Sequence, residues 1–154
     1  MNRPDTAIKI LTSVLFLFAL SAAIPANAQQ RSARVNYILR CAGCHGLDGT
    51  GHAPGGIPAF PGYISSIVDD DEGRTYLMHV PGVVASGLKT NQEIADVMNY
   101  VAARWGSNPA FERFTEEEVR ARRAAAVVDV VEYRRSIVRR LLSAGKPVAP
   151  YPWP

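Results

Sequence analysis

Two thiols three positions apart, with an imidazole on the very next residue, constrain this chain more than any other feature: Cys41-Ala42-Gly43-Cys44-His45. The chain has no other cysteine, so a disulfide-stapled scaffold is excluded. Three chemistries share the pattern. A thioredoxin-like dithiol expects a strand ahead of it in a βαβ unit, whereas residues 29–40 read as an amphipathic helix with Val35, Tyr37, Ile38 and Leu39 on its apolar side. A structural zinc ion wants four ligands, and the chain offers three histidines and no second cysteine cluster. The third chemistry is covalent attachment of haem through both cysteines, with the adjoining imidazole on the iron. The spacing suits this one best, because a single helical turn brings both thiols to neighbouring edges of one flat macrocycle.

The N-terminus bears on the redox compartment. Arg3 and Lys9 precede an apolar run from Ile8 to Ile24, and Ala26-Asn27-Ala28 has the small-x-small form of a signal-peptidase site. Residues 1–28 are therefore expected to be a signal peptide cleaved after Ala28, leaving a periplasmic chain that starts at Gln29. Membrane contact is expected only if that signal stays uncleaved. Haem is attached covalently on that side of the membrane. The net charge of +3 is mild. No dense Lys/Arg run interleaved with aromatics is present, so nucleic acid is not an expected partner.

The rest reads as helices separated by one long glycine- and proline-rich stretch. Residues 41–68 hold seven glycines and three prolines, a loop of the length that usually wraps around something. Asp69 to His79 reads as a short helix with an acidic start, stopped by Pro81 and Gly82. Thr90-Asn91-Gln92-Glu93 is a capping box. It opens a helix running to about Trp105, with Ile94, Val97, Met98, Val101 and Trp105 at helical spacing. Thr115 to Glu118 repeats the capping pattern, and Asp129 to Glu132 suggests a further helix start. Beyond these, Val127, Val130, Val131, Ile137, Val138, Leu141 and Leu142 form an apolar stripe, with Arg134, Arg135, Arg139 and Arg140 facing away. From Glu112 onward nine basic side chains stand against six acidic ones; from Gln29 to Phe111 the balance is six to seven. The proline-rich end is expected to be extended.

Residues 35–105 resemble the class I cytochrome c family. The likeness runs through Tyr37, Cys41-x-x-Cys44-His45-Gly46, Asp48-Gly49-x-Gly51, Ile57-Pro58-Ala59-Phe60-x-Gly62 and the stretch from Glu93 to Val101. It implies an all-α fold: a cytochrome c-like domain at 29–111 around one covalent haem c, followed by amphipathic helices in a C-terminal extension at 112–154. Cys41 and Cys44 would carry the haem, and His45 would be the proximal iron ligand. Pro58 would offer its carbonyl to His45, and Tyr100 would pack where the first and last helices of the domain cross. Phe60, Tyr63 and Tyr76 would line the haem crevice.

Members of the family usually place a distal methionine between the third and last helices. Here the stretch from Pro81 to Thr90 has none. Met78, just ahead of it, is the first candidate for the distal iron ligand and Met98 the alternative. His79 and His52 come next, and otherwise the iron is open or holds water.

The function implied is that of an electron carrier rather than an enzyme, working between an exported dehydrogenase and an oxidase or another cytochrome. Two alternatives stand beside it. One is a haem subunit of a larger redox complex, suggested by the extension. The other is a five-coordinate gas-binding haem protein, suggested by the missing methionine.

Overall fold

Among the described residues, the longest helix is also the one with the best start signal. In the computed structural model, which describes residues 31–152, Thr90 accepts from the Glu93 backbone N–H. The Glu93 carboxylate returns to the Thr90 and Lys89 N–H groups. Both halves of the capping box are made, so donors that a helix start leaves unpaired are satisfied. The helix spans Asn91–Trp105 and buries Ile94, Ala95, Val97, Met98, Val101 and Ala102 along one face. We label the elements in chain order: α1 (Ala33–Arg40), α2 (Ala42–His45), a 3-10 turn (Ala53–Gly55), α3 (Ile64–Val68), α4 (Asp71–His79), α5 (Pro81–Val84), α6 (Asn91–Trp105), α7 (Glu116–Ala124) and α8 (Val130–Ser143). No strand is present among the described residues; the only strand-like pairing among them is an isolated bridge between His52 and Ile57. No helix among them is long and apolar enough to cross a membrane. The signal segment at 1–28 lies outside the described residues.

The central contact is α1 against α6. Tyr37 is buried at their junction, with its ring 5.5 Å from Tyr100, 5.0 Å from Trp105 and 6.5 Å from Phe60. Of the apolar side expected for α1, only Tyr37 is buried. Asn36 and Tyr37 face inward, whereas Val35, Ile38 and Leu39 are exposed. Residues 35, 38 and 39 share a face at helical spacing, but it is turned away from α6, and hydrophobicity alone does not say which stripe meets a partner.

Pro81 ends α4 and also starts α5, where its missing N–H costs nothing because the first-turn donors of a helix are unpaired anyway.

The C-terminal part folds back onto the first. Helix α7 packs on α6 and α4, and α8 packs on α4; from Ser32 onward the chain is one compact unit. Val119, Ile137 and Leu141 are buried. The apolar stripe on α8 is narrower than the sequence suggests, since Leu142 is exposed.

The arginines expected to face away divide. Arg135 and Arg139 pair with Glu132 on the helix surface. Arg140 instead reaches Asp70 and Glu72 at the start of α4. Arg134 donates to the Ala149 carbonyl and lies 4.3 Å from the Tyr151 ring. The acidic start of α4 is thus a docking point for the chain's own C-terminal helix.

The junction is pinned in two places. Asn99, buried on α6, exchanges two hydrogen bonds with the Phe114 backbone, at 2.9 and 2.8 Å. Arg74, 5% exposed, makes a two-pronged pair with Glu118 at 2.6 Å per prong. It also donates to the Val68 and Glu112 carbonyls and lies 3.7 Å from the Phe114 ring centre. Glu118 caps only in part: Thr115 accepts from its N–H, but its carboxylate is taken by Arg74 and Arg122.

Candidate functional site

The site is built where α1 runs into the short α2. The Cys41 N–H donates to the Tyr37 carbonyl at 2.9 Å, and the His45 N–H to the Cys41 carbonyl at 2.9 Å. That winding sets both thiols and the imidazole on a single helical turn. Both cysteines are free thiols; Cys44 is exposed and Cys41 half-buried. Burial, with the neighbouring Cys44, pushes the Cys41 thiol up to about 11.

The chain then turns sharply. Gly46 has left-handed φ, and the Tyr37 hydroxyl donates to its carbonyl at 2.6 Å. This bond clamps the end of the motif to the buried aromatic cluster. Burial raises the Tyr37 phenol to about 12, so it stays protonated as the donor.

The His45 ring is fixed from two sides. Phe60 stacks on it at 4.2 Å and 17°. Its Nδ1 lies 3.2 Å from the Pro58 carbonyl oxygen. A carbonyl can only accept, so Nδ1 carries the proton and Nε2 keeps its lone pair. Burial lowers the His45 pKa, outweighing the Pro58 carbonyl. The Pro58 carbonyl thus orients the imidazole so that Nε2 is the nitrogen available to a metal.

The loop that brings Pro58 there depends on close backbone approach. Gly51 has φ +64°, and a Cβ on it would lie 2.5 Å from the Ile57 oxygen and 2.7 Å from the Pro58 oxygen. A Gly51→Ala chain is expected to lose at least about 1–2 kcal/mol from the left-handed backbone alone. The clash would add to that and push the Pro58 carbonyl off His45. Thermal melting of the two proteins side by side measures the loss, and an unchanged melting temperature would contradict this role for Gly51.

The rival readings of the motif find no support. No strand precedes it among the described residues. No group of three or more His, Cys, Asp or Glu side chains among them could hold a metal ion in the manner of a zinc site. The donor set fits haem c: two free thiols beside one imidazole that is held at Nδ1 and leaves Nε2 to face the group.

Met78 and Met98 are 1% and 8% exposed and belong to the apolar core with Tyr37, Ile94 and Val97. Tyr76 was expected in the crevice, but it lies beside Arg134 and Tyr151. It thus faces the C-terminal part, because α4 presents that side to α8. The His79 Nε2 is 2.9 Å from the Arg122 carbonyl.

This helical unit, with its paired thiols and clamped imidazole, has the makings of a c-type cytochrome, and comparison with known proteins agrees. The chain is 33% identical to a cytochrome c-552 of Thermus thermophilus over 119 residues, covering 64% of this chain and 78% of that protein. A second cytochrome c-552 from the same species is 33% identical over 105 residues, covering 55% and 79%. No protein-family model matches the chain. The chain belongs to the class I c-type cytochromes, the electron carriers that hold one haem c covalently.

Proposed function

We propose that this chain is an exported monohaem cytochrome that passes single electrons between periplasmic redox proteins, such as a dehydrogenase and an oxidase or second cytochrome. In this reading each thiol, of Cys41 and of Cys44, adds across one vinyl group. A carbon–sulfur bond forms, the thiol hydrogen goes to the other vinyl carbon, and no electrons are exchanged. His45 takes the iron through Nε2. Haem supplies a one-electron couple whose potential follows its axial ligands, burial and hydrogen bonds.

The protein's part is to hold that couple still. The Pro58 carbonyl and the Phe60 ring keep the imidazole from turning, and the Tyr37–Gly46 bond ties the attachment turn to the core. A carrier that reorganises little on gaining an electron exchanges it fast. The single observation carrying the proposal is the His45 imidazole, clamped at Nδ1 by the Pro58 carbonyl beside two free thiols on one helical turn. The extension, which in the sequence suggests a larger complex, packs on α4 and α6 of the same chain.

The test is to express residues 1–154 with haem-maturation machinery and isolate the periplasmic protein. The expected product starts at Gln29, outweighs the bare polypeptide by one haem, and titrates reversibly with one electron per chain. A colourless product at polypeptide mass would overturn the assignment.

A further inference from the structure

We infer that the groove between α8 and the C-terminal tail is a docking surface for an acidic segment of a partner protein, one that carries carboxylates on either side of an aliphatic side chain. The inference rests on the electron-carrier reading above and deepens it, by giving the chemistry with which one of the redox partners holds this chain. The groove has a volume of about 700 Å³. One wall is the stripe Arg135, Val138, Arg139 and Leu142, at the i, i+3, i+4 and i+7 positions of one helix face. The other is the tail from Val148 to Tyr151.

Arg134 holds the second wall in place. Its guanidinium donates to the Ala149 carbonyl at 3.0 Å and lies 4.3 Å from the Tyr151 ring, so the tail is fastened along the helix before any partner arrives. A preformed groove spares the partner the cost of ordering it. Both of these contacts are neutral, and Arg134 meets no carboxylate among the described residues. Glu132 is the one carboxylate among the described residues that line the groove. It lies 3.3 Å from Arg135 and 3.4 Å from Arg139, so two arginines share it. Three cations against one anion leave the lining two positive charges in excess. Elsewhere in the extension Arg120, Arg122 and Arg140 each meet a carboxylate of their own chain.

That surface selects its ligand. Guanidiniums take carboxylates in two-pronged geometry, and the Arg139 side chain is 67% exposed. Leu142 is 57% exposed beside it, so an aliphatic side chain laid on Val138 and Leu142 removes apolar surface from water while its flanking carboxylates reach the arginines. Arg135, Arg139, Leu142 and Pro150 are all exposed, which leaves the groove too open to enclose a small molecule. A flat lipid surface touches the rim without filling the floor between the walls, whereas a protein segment reaches both. None of the lining residues belongs to α1, α2 or the loop to Pro58, so the hold is made by residues other than those that would carry the haem. Complementary charge of this kind chiefly speeds encounter and rejects wrong partners.

The test titrates the full chain, matured with haem, into a fluorescent synthetic peptide, Gly-Glu-Leu-Glu-Glu-Leu-Glu-Gly, while anisotropy is followed. A control peptide has glutamine in place of each glutamate. The Arg139→Glu variant reverses an exposed charge of the groove, and Arg120→Glu makes the same change in net charge on α7, outside it. Wild type is expected to bind the acidic peptide, less tightly as salt is raised, and to ignore the control. Arg139→Glu should weaken binding about tenfold, Leu142→Ser should weaken it with no change of charge, and Arg120→Glu should leave it as it was. Equal weakening by the two charge reversals would reduce the effect to net charge and overturn the inference, as would an acidic peptide that does not bind. Binding to phosphatidylglycerol vesicles but not to the peptide would overturn it in favour of a lipid surface. The mass of each protein reports haem separately. A haem-loaded chain that ignores the peptide overturns the inference and leaves the carrier reading standing. A chain without haem that binds the peptide through the groove overturns the carrier reading and leaves the docking surface.

Discussion

An Arg74→Ala chain is expected to lose about 3–5 kcal/mol of stability, the usual result of removing one partner from a buried ion pair. The arithmetic favours a large effect because Arg74 makes several contacts at once. Its guanidinium fills both oxygens of Glu118, two backbone carbonyls from different parts of the chain, and the face of Phe114. Alanine strands the two carbonyls and leaves Glu118 with Arg122 alone. Lysine keeps the charge but cannot reproduce the fork, so Arg74→Lys is expected to recover only part of the loss. Urea midpoints for the three proteins measure it, and proteolysis should cut the alanine variant first between α6 and α7. A midpoint within experimental error of wild type would show that the pair contributes no net stability.

The same cluster makes the fold acid-sensitive. Burial alone would raise the Glu118 pKa, but the Arg74 and Arg122 guanidiniums overcome it and hold the carboxyl low. The Arg140 hydrogen bond likewise lowers Asp70. Groups whose folded pKa is depressed give their full stabilisation above the ordinary carboxylate range and lose it as pH falls through the folded value. The urea midpoint of wild type should therefore fall on acidification, and fall less in the Arg74→Ala chain, where part of the dependence is already gone.

Local chemistry was legible in the sequence and distant pairing was not. Cys41 to His45 and the start of α6 at Thr90 depend on residues within a few positions, while the carbonyl role of Pro58 was legible only through the family resemblance. Arg74 and Asn99 gave no signal, because each sits inside a helical pattern and acquires its role only when residues 112–118 return to it. The four arginines of α8 look alike in sequence. Whether one is a wet surface group or a bridge to the acidic start of α4 depends on how α8 packs on α4. The half-made cap at Thr115 has the same cause: the glutamate that would complete it is claimed by an arginine 44 positions away. Val35, Ile38 and Leu39 show the complementary limit: apolar spacing marks the helix, but of that apolar side only Tyr37 is buried.

Replacing both Cys41 and Cys44 with alanine is expected to make the stability of the protein depend on how dilute it is. A covalently held haem stays with its chain at any concentration. Held only by His45 and apolar contacts, it becomes an ordinary ligand, whose contribution follows RT ln(1 + [L]/Kd), about 2.7 kcal/mol at a hundredfold excess over Kd and vanishing below it. The wild-type melting temperature should therefore not change with dilution, whereas that of the doubly substituted chain should fall and be restored by added haem. The single variants should differ in how readily they mature. Cys44 is exposed and Cys41 half-buried, its thiol raised to about 11, so Cys44 is the more accessible for the first bond. Cys41→Ala should then keep one thioether in good yield, and Cys44→Ala should mature poorly. Denaturing electrophoresis with haem staining reads both. Equal staining of wild type and the double variant would show that the colour is attached somewhere other than these two sulfurs.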